Sequence, residues 1–236
     1  MARLVRGAAT RLASVLLALC APAEAGQPLF TDDAAVVAAK TCQVETFIAF
    51  GHADREYWAQ PACNFTGNVE LTAAGAITDT GPEGKSGAAV LQAKSTLLPR
   101  GDGQLAFGAA AGALRDMGAA HGSSAFQTWY ARALASWYPT GDTEVDLNLG
   151  AANVYGTGTF ALAGVAVQYM IIPRLQLLAE TYRDAPGPAK YQAGVRYAVL
   201  PSRLEAYASY GARLGRSAND RSVTVGIRVQ TAQLLP

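Results

Sequence analysis

The chain has 236 residues, of which 50% are hydrophobic and only 16% are charged. Its 19 basic and 18 acidic residues give a net charge of +1, which excludes the strongly basic proteins that bind nucleic acid or anionic membrane surfaces. Beyond the start of the chain there is no run of 18 or more apolar residues, so the sequence also excludes a membrane-spanning helix.

The first 25 residues are typical of a cleavable secretory signal. Three arginines among the first eleven residues form a basic flank, and residues 12–19 are apolar but too few to span a bilayer. Ala23-Glu24-Ala25 has the small-x-small pattern of a cleavage site. Cleavage would remove three arginines and one glutamate, which leaves 16 basic and 17 acidic residues.

The third cysteine, Cys20, lies inside this signal. A lipoprotein, in which Cys20 would carry the lipid, is a less favoured alternative because the preceding residue is Leu19 and a small residue is usual there. Two cysteines remain after cleavage, and an even number is expected in an exported protein.

Residues 26–41, GQPLFTDDAAVVAAKT, precede the first predicted strand. Two placements stay open for them. They could fold into the interior of the barrel predicted below as a plug, or they could form a loose periplasmic tail.

Two cysteines, Cys42 and Cys63, stand at equal distances from the dipeptide His52-Ala53. A hairpin that turns at this dipeptide would pair Cys42 with Cys63 and Phe47 with Trp58. Opposed residues of antiparallel strands have Cα atoms about 4.5–5.5 Å apart, and a disulfide accepts about 4.4–6.8 Å. The spacing therefore predicts a disulfide at the foot of the first hairpin, with coincidence as the alternative.

From residue 43 onward, apolar and polar residues alternate with the two-residue period of a strand. In SVTVGIRVQ (222–230) four aliphatic residues share one face, while Thr224, Gly226 and Arg228 share the other. Twelve such segments are predicted: 43–51, 55–66, 68–79, 87–98, 103–115, 125–138, 143–155, 159–172, 174–183, 190–200, 203–214 and 222–231. Most have the roughly 9–11 residues that a tilted strand needs to cross a bilayer.

The connections between these segments differ in length and composition. Short, proline-containing sequences follow segments four, six, eight and ten: LPRGDG, YPTGD, IPR and LPSR. The intervening connections are mostly longer and more polar: TGPEGKS, RDMGAAHGSS, RDAPGPAK and RSAND. Short periplasmic turns and longer outer loops are typical of an outer-membrane barrel.

Alternation alone also fits a soluble barrel or sandwich, which buries its apolar face. The export signal, the even number of strands and aromatic residues near strand ends favour a membrane location; these aromatics are Trp129, Trp137, Tyr138 and Tyr197. A sheet in lipid must close to pair its backbone groups. The sequence therefore predicts an all-β fold over residues 42–236, an antiparallel up-and-down transmembrane β-barrel of about twelve strands in the lipid of the outer membrane.

In this barrel the polar face would line the lumen. The charged residues projected onto that face are Glu45, Glu70, Lys94, Arg132, Asp146, Glu180, Arg196, Glu205, Arg213 and Arg228. They would either select what passes or form ion pairs that fill the interior. Twelve strands lie between barrels of about eight strands, which side chains fill, and barrels of about 16–18, which leave an aqueous channel. We therefore expect a narrow or partly plugged pore.

Groups that could carry catalysis are few. His121 lies beside Ser123 and Ser124 in GAAHGSSAF. A histidine and a serine could form a hydrolase site at the outer rim, but the same residue types are common in a flexible Gly/Ser loop, and the loop is favoured. GPEGKS (81–86) is rejected as a phosphate-binding loop because the motif needs glycine where Asp79 stands. Two histidines far apart offer no metal site. We expect no enzyme, no cofactor and no metal.

Several stretches carry a resemblance to a known group of proteins: PLFTDDA (28–34), CQVET (42–46), WAQPACNFTGNVELT (58–72), LQAK (91–94), YQAGVRY (191–197) and VGIRV (225–229). They resemble exported proteobacterial proteins that are similar to outer-membrane barrels of the phenol-degradation (MetA-pathway) group. The resemblance implies a barrel that lets small molecules, hydrophobic or aromatic ones included, cross the outer membrane, and it implies no catalytic residues. The ending QTAQLLP departs from the aromatic C-terminus usual in such barrels.

The expected function is thus a passive outer-membrane channel or transporter for small molecules. A non-conducting structural barrel is one alternative. A lipid-acting outer-membrane hydrolase that uses His121 is the less favoured one.

Overall fold

The computed structural model describes residues 29–81, 84–101, 104–117, 126–215 and 221–233. Within these ranges twelve antiparallel strands close into one barrel, in which each strand pairs with its neighbours in sequence and the last pairs with the first. The same ranges contain no helix that is long and apolar enough to cross a membrane. The predicted signal, residues 1–25, lies outside the described residues.

The strands are β1 (Cys42–Phe50), β2 (Arg55–Asn64), β3 (Val69–Asp79), β4 (Lys85–Leu98), β5 (Leu105–Asp116), β6 (Thr128–Trp137), β7 (Thr143–Val154), β8 (Gly158–Ile172), β9 (Leu175–Arg183), β10 (Lys190–Leu200), β11 (Leu204–Arg213) and β12 (Arg221–Gln230). The predicted all-β, up-and-down barrel is confirmed, and every predicted strand end falls within three residues of the observed one.

The first hairpin has the predicted register. Cys42 is opposed to Cys63 and Phe47 to Trp58, and the backbone N–H of Gly51 donates to the carbonyl of Asp54 across the turn. The Cys42–Cys63 disulfide is present. The spacing of two cysteines around one dipeptide was therefore sufficient to predict both the pairing and the bond.

β12 shows how alternation builds the wall of the barrel. Val223, Val225, Ile227 and Val229 point outward and are 40–46% exposed, whereas Arg228 points inward and is 4% exposed. Each strand is hydrogen-bonded on both sides, so the closed sheet leaves no open edge. The apolar face is thus free to contact lipid, and the polar face encloses a lumen.

The two ends of the barrel carry different connections. At the end that holds the disulfide, Pro173-Arg174 joins β8 to β9 and residues 201–203 join β10 to β11. Arg174 and Ser202 have φ angles of 85° and 58°, which tight turns require. At the opposite end residues 117–127 join β5 to β6. The predicted asymmetry is partial, because residues 155–157 at that opposite end form an equally short turn.

Residues 29–41, here named the lumenal segment, run through the interior of the barrel in a conformation that is neither helix nor strand. Ala34 is fully buried against Ala106, Ala110 and Leu134, and Leu29 packs on Ala166 and Leu178. Of the two placements left open by the sequence, these residues occupy the interior. Residues 26–28 lie outside the described residues.

Candidate lumenal binding site

The lumenal segment occupies part of the lumen, and beside it lies a chamber of about 670 Å³. Phe30 and Asp32 of the segment form part of the chamber wall, and Gln43 and Ala62, next to the disulfide, line it at that end. His52 and Asp54, in the turn between β1 and β2, line it at the outer end, together with Asp184 after β9. The chamber therefore opens at the end opposite the disulfide.

Aromatic side chains form part of the chamber wall. Phe47 and Trp58 stack across β1 and β2, with ring centroids 5.9 Å apart. Phe30 of the lumenal segment stacks on Tyr182 of β9, with centroids 4.8 Å apart. Offset stacking of this kind presents flat apolar faces to whatever occupies the chamber.

Charged side chains of both signs also line the chamber, in nearly equal numbers. The acidic ones are Asp32, Glu45, Asp54, Glu56, Glu70 and Asp184, and the basic ones are Lys94, Arg132, Lys190, Arg213 and Arg221. Because neither sign dominates, the chamber does not present the one-sided field that steers a highly charged molecule.

The upper part of the lumenal segment is held by side chains of β7 and β9. The two carboxylate oxygens of Glu180 accept from the backbone N–H groups of Phe30 and Thr31, both at 2.8 Å. Asn148 accepts from the N–H of Asp32 at 2.9 Å and donates to its carbonyl at 2.6 Å. The Asn148 amide thus makes the pair of bonds that an adjacent strand would make.

The middle of the segment is held in the same way. Ser136 accepts from the N–H of Ala34 at 2.9 Å, and Thr96 donates to the carbonyl of Ala34 at 2.9 Å. Gly108 allows this close approach, since a Cβ atom there would lie 3.0 Å from the Ala34 carbonyl oxygen. Gly164 likewise makes room for the segment, because a Cβ atom there would lie 2.4 Å from Oγ1 of Thr31.

Ion pairs anchor the two consecutive acidic residues. Lys94 Nζ lies 3.0 Å from Asp33 and 3.5 Å from Asp32, and Arg132 lies 3.2 Å from Asp32. Burial alone would raise the pKa of Asp32, but Lys94 and Arg132 outweigh burial and hold that pKa below its ordinary value. For Asp33, burial together with the nearby charges of Asp32 and Glu70 outweighs Lys94 and raises the pKa.

The lower part of the segment meets β2 and β3 beside the disulfide. Glu70 accepts from the N–H of Val37 at 2.9 Å, and the Asn64 side chain donates to the carbonyl of Val37 at 2.7 Å. Lys40 N–H donates to the Asn64 carbonyl, and Asn64 N–H donates to the Thr41 carbonyl. The segment thus leaves the lumen at a fixed point next to Cys42 and Cys63.

The ten charged residues predicted to line the lumen fall into four groups. Glu70, Lys94, Arg132 and Glu180 contact the lumenal segment directly. Asp146 contacts the segment only through Ser136, which donates to Asp146 at 2.6 Å and accepts from the N–H of Ala34. Arg213 lines the chamber. The remaining four, Glu45, Arg196, Glu205 and Arg228, lie together in one part of the wall.

This wall network spans β10, β11, β12 and β1. Glu205 lies 2.8 Å from Arg228 and 3.7 Å from Arg196, and the Tyr207 hydroxyl donates to Glu45. All five side chains are buried. These charged side chains therefore pair with one another along one side of the lumen.

Uncharged residues that hold the segment were not among the predicted set. Asn148 follows Asp146 by two residues in β7, so both side chains lie on the inner face. Ser136 follows Arg132 by four residues in β6, so these two also lie on the inner face. The alternation that identified the charged residues also contained Asn148 and Ser136, and only a restriction to charged side chains excluded them.

The predicted alternative catalytic residues His121, Ser123 and Ser124 lie outside the described residues. In the part of the chain that the structure describes, no group of three or more His, Cys, Asp and Glu side chains could hold a metal ion.

Comparison with known proteins places the chain in a family. Residues 13–231 match the family described as uncharacterised conserved protein UCP029691. The chain belongs to this family. The match says nothing of phenol degradation, and no curated protein is similar enough to count as a match.

Among solved structures, the fold is similar to that of outer-membrane porins. The KdgM porin in complex with disordered oligogalacturonate is 9% identical, with a TM-score of 0.62 over 80% of this chain and 99% of that one. The NanC porin is 11% identical, with a TM-score of 0.58 over 80% of this chain and 98% of that one. At such low identity the similarity is one of fold.

Proposed function

We propose that the protein is an outer-membrane channel for small molecules and that the lumenal segment closes it. The observation that carries the proposal is the lumenal segment itself, which runs through the interior of the barrel and occupies part of the lumen beside the chamber of about 670 Å³. Phe30 and Asp32 of the segment form part of the chamber wall, so the segment narrows the passage. The porin fold shared with KdgM and NanC supports a channel.

The outer-membrane location is part of the same proposal. An apolar outer face on a closed sheet suits lipid, and the predicted export signal would bring the chain across the inner membrane, from where the barrel can reach the outer membrane. The chamber mouth would then face the outside and the disulfide the periplasm. Sucrose-gradient separation of inner and outer membranes tests the location, and recovery with the inner membrane or the soluble fraction would contradict it.

The permeants proposed here are neutral or zwitterionic small molecules, aromatic ones included. A volume of about 670 Å³ is in the range of pockets for small ligands, about 300–1,000 Å³. The balanced charges of the lining do not favour polyanions, and the stacked pairs Phe47–Trp58 and Phe30–Tyr182 offer faces to an aromatic ring. The resemblance to phenol-degradation barrels agrees with this class.

Single-channel recording in a planar bilayer tests the channel. We expect few or no steps from the mature chain and frequent discrete steps from a form that lacks residues 26–38. This deletion keeps Lys40 and Thr41, whose backbone bonds to Asn64 hold the foot of β1.

Heat-modifiable gel mobility must first show that both forms are folded barrels. Equal conductance of the two forms would contradict closure by the segment. Silence of both folded forms would contradict the channel and favour the non-conducting structural barrel.

A further inference from the structure

We infer that the lumen contains a peptide-binding site, that the lumenal segment is its resident ligand, and that a free extended peptide of the same type can occupy it. The inference concerns residues 30–37 and the side chains around them. It rests on the proposed channel only for its electrical readout.

The first argument is that the barrel recognises the backbone of the segment. Phe30, Asp32, Ala34 and Val37 each have both their N–H and their C=O bonded by a side chain of the wall. For Phe30 the two partners are Glu180 and Arg132, the latter donating to the carbonyl at 3.2 Å. Any extended peptide presents these groups, as in recognition by added strands.

The second argument is that the site also has side-chain preferences. Position 30 favours an aromatic ring because it stacks on Tyr182, and positions 32 and 33 favour acidic residues because Lys94 and Arg132 face them. Position 34 accepts only a small residue, since Ala34 is 0% exposed beneath Leu134. The preferred ligand is thus an extended peptide with the pattern aromatic-x-acidic-acidic-small.

The third argument is that few large apolar side chains hold the segment in place. Leu29, Ala34 and Val37 are its buried apolar residues, whereas its other fixed points are hydrogen bonds and ion pairs. Polar contacts can be exchanged for contacts with water at modest net cost. A free peptide with the same backbone groups can therefore compete for the same partners.

The experiment uses a full-length released variant, Phe30→Ala with Asp32→Asn and Asp33→Asn, which weakens the resident segment and leaves the wall unchanged. A fluorescein-labelled peptide of sequence LFTDDAAVVA, residues 29–38, is titrated into the folded protein in detergent, and its anisotropy is measured. We expect saturable binding of the peptide to the released variant. Binding to the wild-type protein should be at least about tenfold weaker, because its own tethered segment competes with the peptide for the site.

Substitutions in the peptide and in the barrel wall test which groups recognise the peptide. A peptide with both aspartates replaced by asparagine, and one with tryptophan at position 34, should bind at least about tenfold more weakly. Asn148→Leu in the released variant should weaken binding, while Asn153→Leu, on the same strand but on the outer face, should not. Equal binding of a scrambled peptide, or no binding to the released variant, would overturn the inference.

Conductance separates this inference from the channel. Steps that the peptide reduces support both proposals. Steps without peptide binding leave the channel standing and contradict the peptide site. Peptide binding to an electrically silent barrel supports the site and contradicts the channel.

Discussion

At the scale of single residues, two glycines of the inner wall decide whether the lumenal segment fits. Gly164 matters most for a test, because the nearest atoms to an added Cβ all belong to Thr31 and none belongs to a neighbouring strand. A larger residue there would press on the segment alone. At Gly108, by contrast, an added Cβ would also lie 2.9 Å from the carbonyl of Ser95 in β4.

We therefore expect Gly164→Val to loosen the segment without unfolding the barrel. Overpacking of a filled site costs about 1–3 kcal/mol, which corresponds to an increase of about 5-fold to 150-fold in the open fraction. Single-channel recording and limited proteolysis of residues 29–41 measure this effect. Gly75→Val is the control, because the nearest atom to an added Cβ there is 3.7 Å away. If both variants behave like the wild type, the close approach of Thr31 has no role in closure.

The buried wall network gives a second prediction at this scale. Arg228→Met would remove the nearer cation from Glu205 and leave, among the described residues, Arg196 at 3.7 Å instead of Arg228 at 2.8 Å. Removal of one partner from a buried ion pair leaves an uncompensated charge, and we expect a loss of about 3 kcal/mol in the free energy of unfolding. Urea titration followed by gel mobility measures it. Arg221→Met, at the exposed end of the same strand, should change little, and equal losses would contradict a role for the network.

At the scale of elements, the first hairpin is the best defined part of the barrel. Its register follows from the two cysteines, and the disulfide ties β1 to β2 at the point where the lumenal segment leaves the lumen. The bond therefore holds both the start of the barrel wall and the base of the segment.

We expect the double variant Cys42→Ser, Cys63→Ser to unfold more readily than the wild type. The bond closes a loop with a sequence separation of 21, for which the loss of chain entropy in the unfolded state corresponds to about 3 kcal/mol. Urea unfolding with and without reductant measures the difference. Two free thiols per non-reduced, unfolded chain would show that the bond does not form.

The lumenal segment is the element that the sequence could not place. Residues 29–41 make hydrogen bonds with side chains of β2, β3, β4, β6, β7 and β9, and they also pack on β5 and β8. These strands are brought together only when the sheet closes. Alternation within one strand predicts which face a residue occupies, but it carries no information on what lies across a lumen. For the same reason the sequence identified Lys94 and Glu180 as lining residues and could not name Asp33 or Phe30 as their partners.

At the scale of the whole molecule, the number of strands, their order and the direction of their faces were predictable from the sequence. A period of two over residues such as 222–230 is a local property, and an up-and-down barrel adds only nearest-neighbour pairing to it. The interior was not predictable because it depends on residues that lie far apart in the chain. Ser136, for instance, binds Ala34 from 102 positions away.

The seam between β1 and β12 makes closure of the barrel a long-range contact. Cys42 and Thr231 meet at its foot, where Thr231 N–H donates to the Cys42 carbonyl at 2.8 Å, beside the point where the segment enters the lumen. The strand made last must therefore pair with the strand made first, and that contact spans nearly the whole chain. Contacts between such distant residues form slowly. Closure of this seam completes the wall that encloses residues 29–41, so the surroundings of the segment depend on a contact between the two ends of the barrel sequence.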